Sequence, residues 1–251
     1  MDKIYIFDVD GTLTPSRLPM TKEFQTFFKE WVKKNKFYLV TGSNIEKLQE
    51  QMCYFDIEAE KIFTCCGNEM WEPDPHTVNI GANLLYSNKF KPPENLLTYL
   101  GFQVKISDTP VKSTNHREDR GSMLNFSVVG RNCTLKERQQ YFEWDKKVGE
   151  REKITKEIKN GWPNLDAVIG GQISIDIYPK GMDKSQILEH IDSDFSIPFG
   201  EQHQYIFIGD KTMEGGNDYP LAKLMEEKHD CSYYQTDGPQ QTQEILENLI
   251  D

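Results

Sequence analysis

The chain has 251 residues, 37% of them hydrophobic and 12% aromatic, and its 40 acidic against 29 basic residues give a net charge of -11. That length buries a sizeable core as one large domain or two modest ones. A basic face for nucleic acid or an anionic membrane is not expected at this charge, and no apolar run reaches the ~18 residues of a membrane span.

In chain order, "KIYIF" is a short apolar run of the kind that forms a strand buried on both faces. It ends abruptly in charge, so no secretion signal is expected and the cytoplasm is the default compartment. "TKEFQTFFKEWVKKN" has the spacing of an amphipathic helix opened by Thr21, with Phe24, Phe27, Phe28 and Trp31 on its core face. "KFYLVTGS" reads as strand and "NIEKLQEQMCYF" as helix, and this alternation predicts a parallel α/β sheet. Near the C-terminus "QYIFIGD" returns as a buried strand and "QQTQEILENLID" as a closing helix.

The middle differs. "QVKIS", "SMLNFSVVG" and "GQISIDIYP" alternate and are rich in β-branched residues, and "LKERQQYFEWDKKVGEREKITKEI" reads as one long polar helix. An α+β module inserted into the α/β domain is therefore expected, with boundaries near "DPHT" and "PKGMDK". The expected division is residues 1–81 and 184–251 for the core and 82–183 for the insert. Between Phe102 and Arg138 seven basic residues stand against four acidic ones, a local basic island. Cys53, Cys65, Cys66, Cys133 and Cys231 show no C-x-x-C spacing and are read as reduced thiols. The five histidines, His76, His116, His190, His203 and His229, lack metal-ligand spacing, so no transition metal is implied.

Three strand ends carry polar groups, at Asp8-Val9-Asp10, Thr41-Gly42-Ser43 and Gly209-Asp210. Ligands of open α/β sheets bind at such carboxyl ends. In an extended strand Asp8 and Asp10 share a face at roughly 6.6 Å, where two carboxylates repel by about 2.5 kcal/mol at an effective dielectric of ~20. With Asp210 they suit a hard cation such as Mg2+, which would relieve that repulsion.

The motifs Asp8-Val9-Asp10-Gly11-Thr12, Thr41, Lys184 in "GMDK" and "GDKTMEGGND" occur in the order of the haloacid dehalogenase (HAD) superfamily, which the chain resembles. The resemblance implies a Rossmann-like core with an inserted cap. It assigns Asp8 as phosphoryl-accepting nucleophile and Asp10 as acid/base. Thr41 and Lys184 become phosphoryl contacts, and Asp8, Asp210 and the Asp10 carbonyl the Mg2+ ligands. Asn217 and Asp218 are placed behind them.

Within the insert, "RGSMLNFSVVGRNCTLKER" and "GGQISIDIYPKGMDK" are similar to the cap of the eukaryotic-type phosphomannomutases. That likeness implies phosphate contacts at Arg120, Arg131 and Arg138, sugar contacts at Ser174 and Asp176, and a further substrate contact at Arg17. It implies interconversion of mannose 6-phosphate and mannose 1-phosphate through an aspartyl phosphate and a hexose 1,6-bisphosphate, which also serves as activator. It further implies a supply to GDP-mannose synthesis, and a homodimer through the cap. Thr41 is common in phosphatases of the superfamily, so a sugar-phosphate phosphatase with a mutase-like cap is the alternative. "CCGNEMWEPD" departs from the mutase pattern at its Glu-Asn-Gly segment.

Overall fold

The computed structural model describes residues 2–52, 59–74, 81–194 and 203–249. These residues fall into two compact units, a larger one of residues 1–87, 184–214 and 218–251, and a smaller one of residues 88–183 and 215–217. Cys53 and His76 lie outside the described residues, as does part of the expected boundary near residue 75.

The larger unit is built on β1 (Asp2–Phe7), β2 (Lys36–Val40), β3 (Ile62–Thr64), β4 (Glu69–Pro73) and β5 (Ala82–Ser87), with β10 (His203–Gly209) and β11 (Cys231–Gln235) returning later in the chain. They form one sheet in the order β11-β10-β1-β2-β3-β4-β5. Strands β11 to β3 pair in parallel, and β4 and β5 add antiparallel edge strands. The expected boundary at residue 82 is therefore corrected: residues 82–87 pair with β4 and belong to the large sheet.

Alternation along β1 explains its uninterrupted apolar run. Tyr5 and Phe7 pack on one face with Phe24, Phe28 and Trp31 of α1 (Lys22–Val32) and Leu246 of α8 (Pro239–Asn248). Ile4 and Ile6 pack on the other with Ile187 and Leu188 of α6 (Ile187–Asp194) and Leu221 of α7 (Tyr219–Glu226). Each such side chain, fully buried, contributes about 1.5–3 kcal/mol. Thr21 caps α1 as expected, accepting from the Phe24 amide at 3.3 Å. Asn44 caps α2 (Ile45–Gln51) in the same way.

The chain leaves β1 toward β2 and later returns to β10 on the other side of β1. The strand order thus reverses at β1, which opens a crevice at the carboxyl ends of β1 and β10.

The smaller unit has an antiparallel sheet in the order β6-β7-β9-β8, from β6 (Arg117–Asp119), β7 (Leu124–Phe126), β8 (Leu165–Gly170) and β9 (Ser174–Pro179). It carries α3 (Glu94–Ile106), α4 (Leu135–Val148) and α5 (Glu150–Gly161). Leu124, Phe126, Ile175 and Ile177 face a core shared with Leu96, Leu100, Tyr141, Ile154 and Ile158. Two expectations fail here. "QVKIS" ends α3 instead of forming a strand, because the buried Leu96 and Leu100, spaced four apart, set a helical period that its short alternation also satisfies. The single long helix is two, divided at Gly149, whose φ of 69° ends α4 in the left-handed region.

That break turns α5 back so that the Arg151 guanidinium reaches Asp145 at 2.7 Å, with both side chains buried. Arg151 also donates to the carbonyls of Gly171 and Ser174. Asp145→Ala would strand the guanidinium, and a loss of about 3–5 kcal/mol is expected in urea unfolding. Glu30→Ala, which breaks the exposed Lys33–Glu30 pair, should leave the urea midpoint nearly unchanged.

Candidate active site

Strand β1 stops at Phe7, and the next residues turn back on themselves: the amides of Thr12, Leu13 and Thr14 all donate to the Val9 carbonyl. Gly11 permits this turn with φ 97°, and a Cβ there would meet Asp210 Oδ2 at 2.6 Å. The extended geometry expected for Asp8 and Asp10 is thereby replaced, and the two carboxylates have different partners. Asp8 is buried, its amide donating to the Ile208 carbonyl of β10 at 2.9 Å. Asp10 is half-buried and accepts from Gln51 Nε2 at 2.8 Å and from the Arg17 amide. Arg17 itself has φ 59°, an uncommon conformation for a side-chain-bearing residue.

Lys184 follows β9 and opens the turn that leads into α6. Its fully buried ammonium donates to Asp8 Oδ1 at 2.5 Å and to Asp218 Oδ1 at 2.6 Å. Asp218 Oδ2 accepts from the Lys211 amide at 2.9 Å, so both of its oxygens are engaged. Asp210 pairs with Lys211 Nζ at 2.5 Å. Ligand atoms of Asp8, Asp210 and Asp218 lie within 4.8 Å of one another, an arrangement that could hold a metal ion. The donor set fits a hard cation, since each member offers carboxylate oxygen.

The electrostatics follow from this crowding. Burial, and then Asp218 and Asp210, push the Asp8 carboxyl well above its usual range against the pull of Lys184. Asp210 is pushed up to about 6 by burial and by Asp218, with Lys211 opposing. Burial acts against the Lys184 charge, but Asp218 and Asp8 outweigh it and hold the ammonium protonated beyond its usual range.

Thr41 is buried just past β2, and its hydroxyl accepts from the Ser43 amide at 3.1 Å. Cys65 and Cys66 have φ values of 53° and 59°, and the Cys66 amide donates to the Thr41 carbonyl, which anchors the departing "CCGNEM" loop there. Four cysteines, Cys65, Cys66, Cys133 and Cys231, are free thiols, as expected.

In the smaller unit, register and ion pairs bring three of the expected residues, Arg120, Arg131 and Asp176, into one cluster. Glu118 pairs with Asn125, and Asn125 with Asp176, so these three make one row across β6, β7 and β9 on the face away from the apolar core. Asn125 Nδ2 donates to Asp176 Oδ1 at 2.6 Å and Asn125 Oδ1 accepts from Arg131. Glu118 joins both arginines, at 2.8 Å to Arg120 and 2.7 Å to Arg131. Gly170 leaves room for this row, since a Cβ there would meet Asp176 Oδ2 at 2.3 Å. Arg138 lies buried on α4 and Ser174 buried at the start of β9. Asn217, next to Asp218 in the chain, is buried.

Sequence reasoning missed Glu118, Asn125, Gln51 and Lys211. Asn125 and Glu118 were recoverable from strand alternation once the pairing of β6, β7 and β9 was known. Gln51 lies 41 residues from Asp10 and carried no local signal.

The fold is that of the haloacid dehalogenase-like hydrolases. One solved member, from Bacteroides thetaiotaomicron, superposes with a TM-score of 0.58 at 15% identity over 100% of both chains. IMP-bound mutant IMP-nucleotidase of Plasmodium falciparum superposes with a TM-score of 0.63 at 19% identity, over 99% of this chain and 68% of that one. The sequence narrows the class. The sequence model described as "Eukaryotic phosphomannomutase" matches residues 24–251. A "probable phosphomannomutase" of Caenorhabditis elegans is 32% identical over 98% of this chain and 95% of its own length. The phosphomannomutase of Drosophila melanogaster is 33% identical over 99% and 95%, and that of Saccharomyces cerevisiae 31% over 100% and 95%. The chain belongs to the eukaryotic phosphomannomutase family.

Gly11→Ala combines left-handed strain with displacement of Asp210, whereas Gly121→Ala, at φ 76° with open space around its added methyl, carries the strain alone. Thermal unfolding should show a loss of about 1–2 kcal/mol for Gly121→Ala and a clearly larger one for Gly11→Ala. Equal losses would mean that Asp210 yields without cost.

Proposed function

We propose that the chain interconverts mannose 6-phosphate and mannose 1-phosphate by passing a phosphoryl group through Asp8. The observation that carries this reading is the buried Asp8–Lys184–Asp218 chain of ion pairs. It fixes one carboxylate against an ammonium at the sheet's switch point, where a phosphoryl group can be met by both nucleophile and positive charge.

Asp8 attacks phosphorus, and the bond from phosphorus to the sugar oxygen breaks. Asp10, held by Gln51 and the Arg17 amide, protonates the departing oxygen and later takes the proton of the acceptor hydroxyl. Lys184 lies against Asp8 and neutralises phosphoryl charge, while Asp218 holds Lys184 in place. Thr41 adds a hydroxyl at the neighbouring strand end. Asp8, Asp210 and the Asp10 carbonyl would hold Mg2+, which supplies Lewis-acid masking of the phosphoryl oxygens. Asp218, with both oxygens engaged, supports that set from behind.

Arg120, Arg131 and Arg138 would grip the non-reacting phosphate, with Ser174 and Asp176 on the sugar hydroxyls and Arg17 as a further contact. The row Glu118-Asn125-Asp176 supports this assignment, because it orients the Arg131 fork and ties it to a candidate sugar contact. A hexose 1,6-bisphosphate would be both intermediate and activator, since it primes Asp8 with a phosphoryl group. Among the described residues no helix is long and apolar enough to cross a membrane. The family resemblance extends the reading to a cytoplasmic homodimer joined through the cap, feeding GDP-mannose synthesis, and the exposed Phe102 and Ile106 on α3 offer apolar surface for such a contact.

Incubation of mannose 1-phosphate with Mg2+ and a trace of the bisphosphate should yield mannose 6-phosphate with little inorganic phosphate. Phosphate release without isomerisation would overturn the mutase reading in favour of a phosphatase. Asp8→Asn should lower turnover by on the order of 10^4-fold or more. Arg131→Ala should instead raise KM by about ten- to hundredfold, the worth of a charged hydrogen bond, with a smaller change in kcat.

A further inference from the structure

The larger unit has a cavity at the end of β1 opposite its catalytic loop. Its volume is about 390 Å3, and it lies between the amino end of β1, the second half of α1 and Leu249 just past α8. That volume falls within the range of small-molecule sites. Tyr5, Phe27 and Trp31 supply aromatic walls. The rings of Tyr5 and Trp31 meet edge to face, with centroids 4.7 Å apart.

Two cations line the same cavity, Lys3 and Lys34. Lys3 Nζ donates to the Leu249 carbonyl at 2.5 Å, which orients the ammonium without neutralising it. Lys34 has no ion pair among the described residues. Glu30, the acidic lining residue, pairs with Lys33 at 2.7 Å. In a chain of net charge -11, Lys3 and Lys34 stand beside three aromatic rings, against one lining carboxylate, Glu30, that Lys33 also holds; among the described residues this makes a net positive site with apolar walls. Flat apolar bodies pack on such rings, and an anion is drawn to the ammonium groups.

The cavity is connected to the catalytic loop by two rigid elements. Strand β1 runs from Lys3 to Phe7 and delivers Asp8 about 16 Å away at the strand rise of ~3.3 Å per residue. Helix α8 touches Lys3 through Leu249 at one end, and near its other end Thr242 Oγ1 donates to the Thr12 carbonyl at 2.9 Å. Thr12 lies in the turn that holds Asp8, with its own hydroxyl 3.4 Å from Asp8 Oδ2.

We propose that this cavity is a second ligand site, for a small aromatic molecule bearing one anionic group, and that its occupancy is transmitted to the catalytic turn through α8. A ligand anion competes with the Leu249 carbonyl for Lys3 and so shifts the end of the helix that bears Thr242.

The probe is 2-naphthoate, titrated by calorimetry into the full chain without sugar phosphate, with neutral 2-naphthylmethanol as its counterpart. The carboxylate should bind at least tenfold more tightly than the alcohol. Lys34→Glu should weaken naphthoate at least tenfold, and Lys22→Glu, the same charge change on α1 outside the cavity lining, should leave it within twofold. Equal binding of acid and alcohol, or full binding by Lys34→Glu, overturns the site. Saturating naphthoate should change mutase turnover at least twofold in the unaltered chain. Thr242→Val should keep naphthoate binding and lose that response; a response that persists in Thr242→Val, or none in the unaltered chain, overturns the transmission. Because binding is read without substrate, absence of mutase activity would count against the proposed function and not against the site.

Discussion

The larger unit is organised around one buried cation. Lys184 has no access to solvent, so its charge must be met within the protein, and Asp8 and Asp218 meet it from segments 176 and 34 residues away. Burial would otherwise drive the lysine toward neutrality and each carboxylate toward protonation. Contact with the two carboxylates outweighs that drive at Lys184 and holds its ammonium charged, while burial and the neighbouring carboxylates still push Asp8 above the usual carboxylate range. The arrangement also fixes geometry: Asp8 leaves β1, Asp218 precedes α7, and Lys184 opens the turn before α6, so three elements converge on one ammonium. Gly11 and Gly209 are the places where the backbone gives way to the carboxylates, since a methyl at either would strike Asp210 or Asp218.

The smaller unit solves a different problem with a sheet. Its strands present Leu124, Phe126, Ile175 and Ile177 to the core and leave Asn125 and Asp176 for the opposite face. An interior polar row is costly unless every member is bonded, and here the bonds run from Glu118 and two arginines through Asn125 to Asp176. The Arg151–Asp145 pair works behind this row, holding the carbonyls of Gly171 and Ser174 at the β8–β9 turn.

Much of this was legible in the sequence where a physical period was long or a motif was fixed. The buried runs at β1, β2 and β10 and the α1 stripe could be read because sheet and helix periods leave distinct patterns over enough residues. "QVKIS" was misread because five residues fit either period. The break at Gly149 was missed because polar residues on both sides continue a helical composition, and one left-handed residue decides the matter. In the site, Asp8, Asp210, Lys184 and Asp218 were all named in advance, but the divergence of Asp8 from Asp10 was not. It depends on the turn at Val9 to Thr14, which Gly11 permits, but the glycine does not itself say which amides converge on the Val9 carbonyl.

The pairing of β1 with β10 has a consequence in time. Asp2 pairs with His203, and Phe7 with Ile208, so this interior strand of the large sheet lacks one neighbour until some 200 residues more have been made. At synthesis rates of ~5–20 residues per second that wait is roughly 10–40 s. Through it, a strand as apolar as Ile4-Tyr5-Ile6-Phe7 has an open edge and one uncovered face, while residues 88–183 already possess a core of their own. The nascent chain therefore carries a folded middle and a sticky beginning together, and its yield in the cell should depend on holdase chaperones that shield the first strand until the tenth emerges.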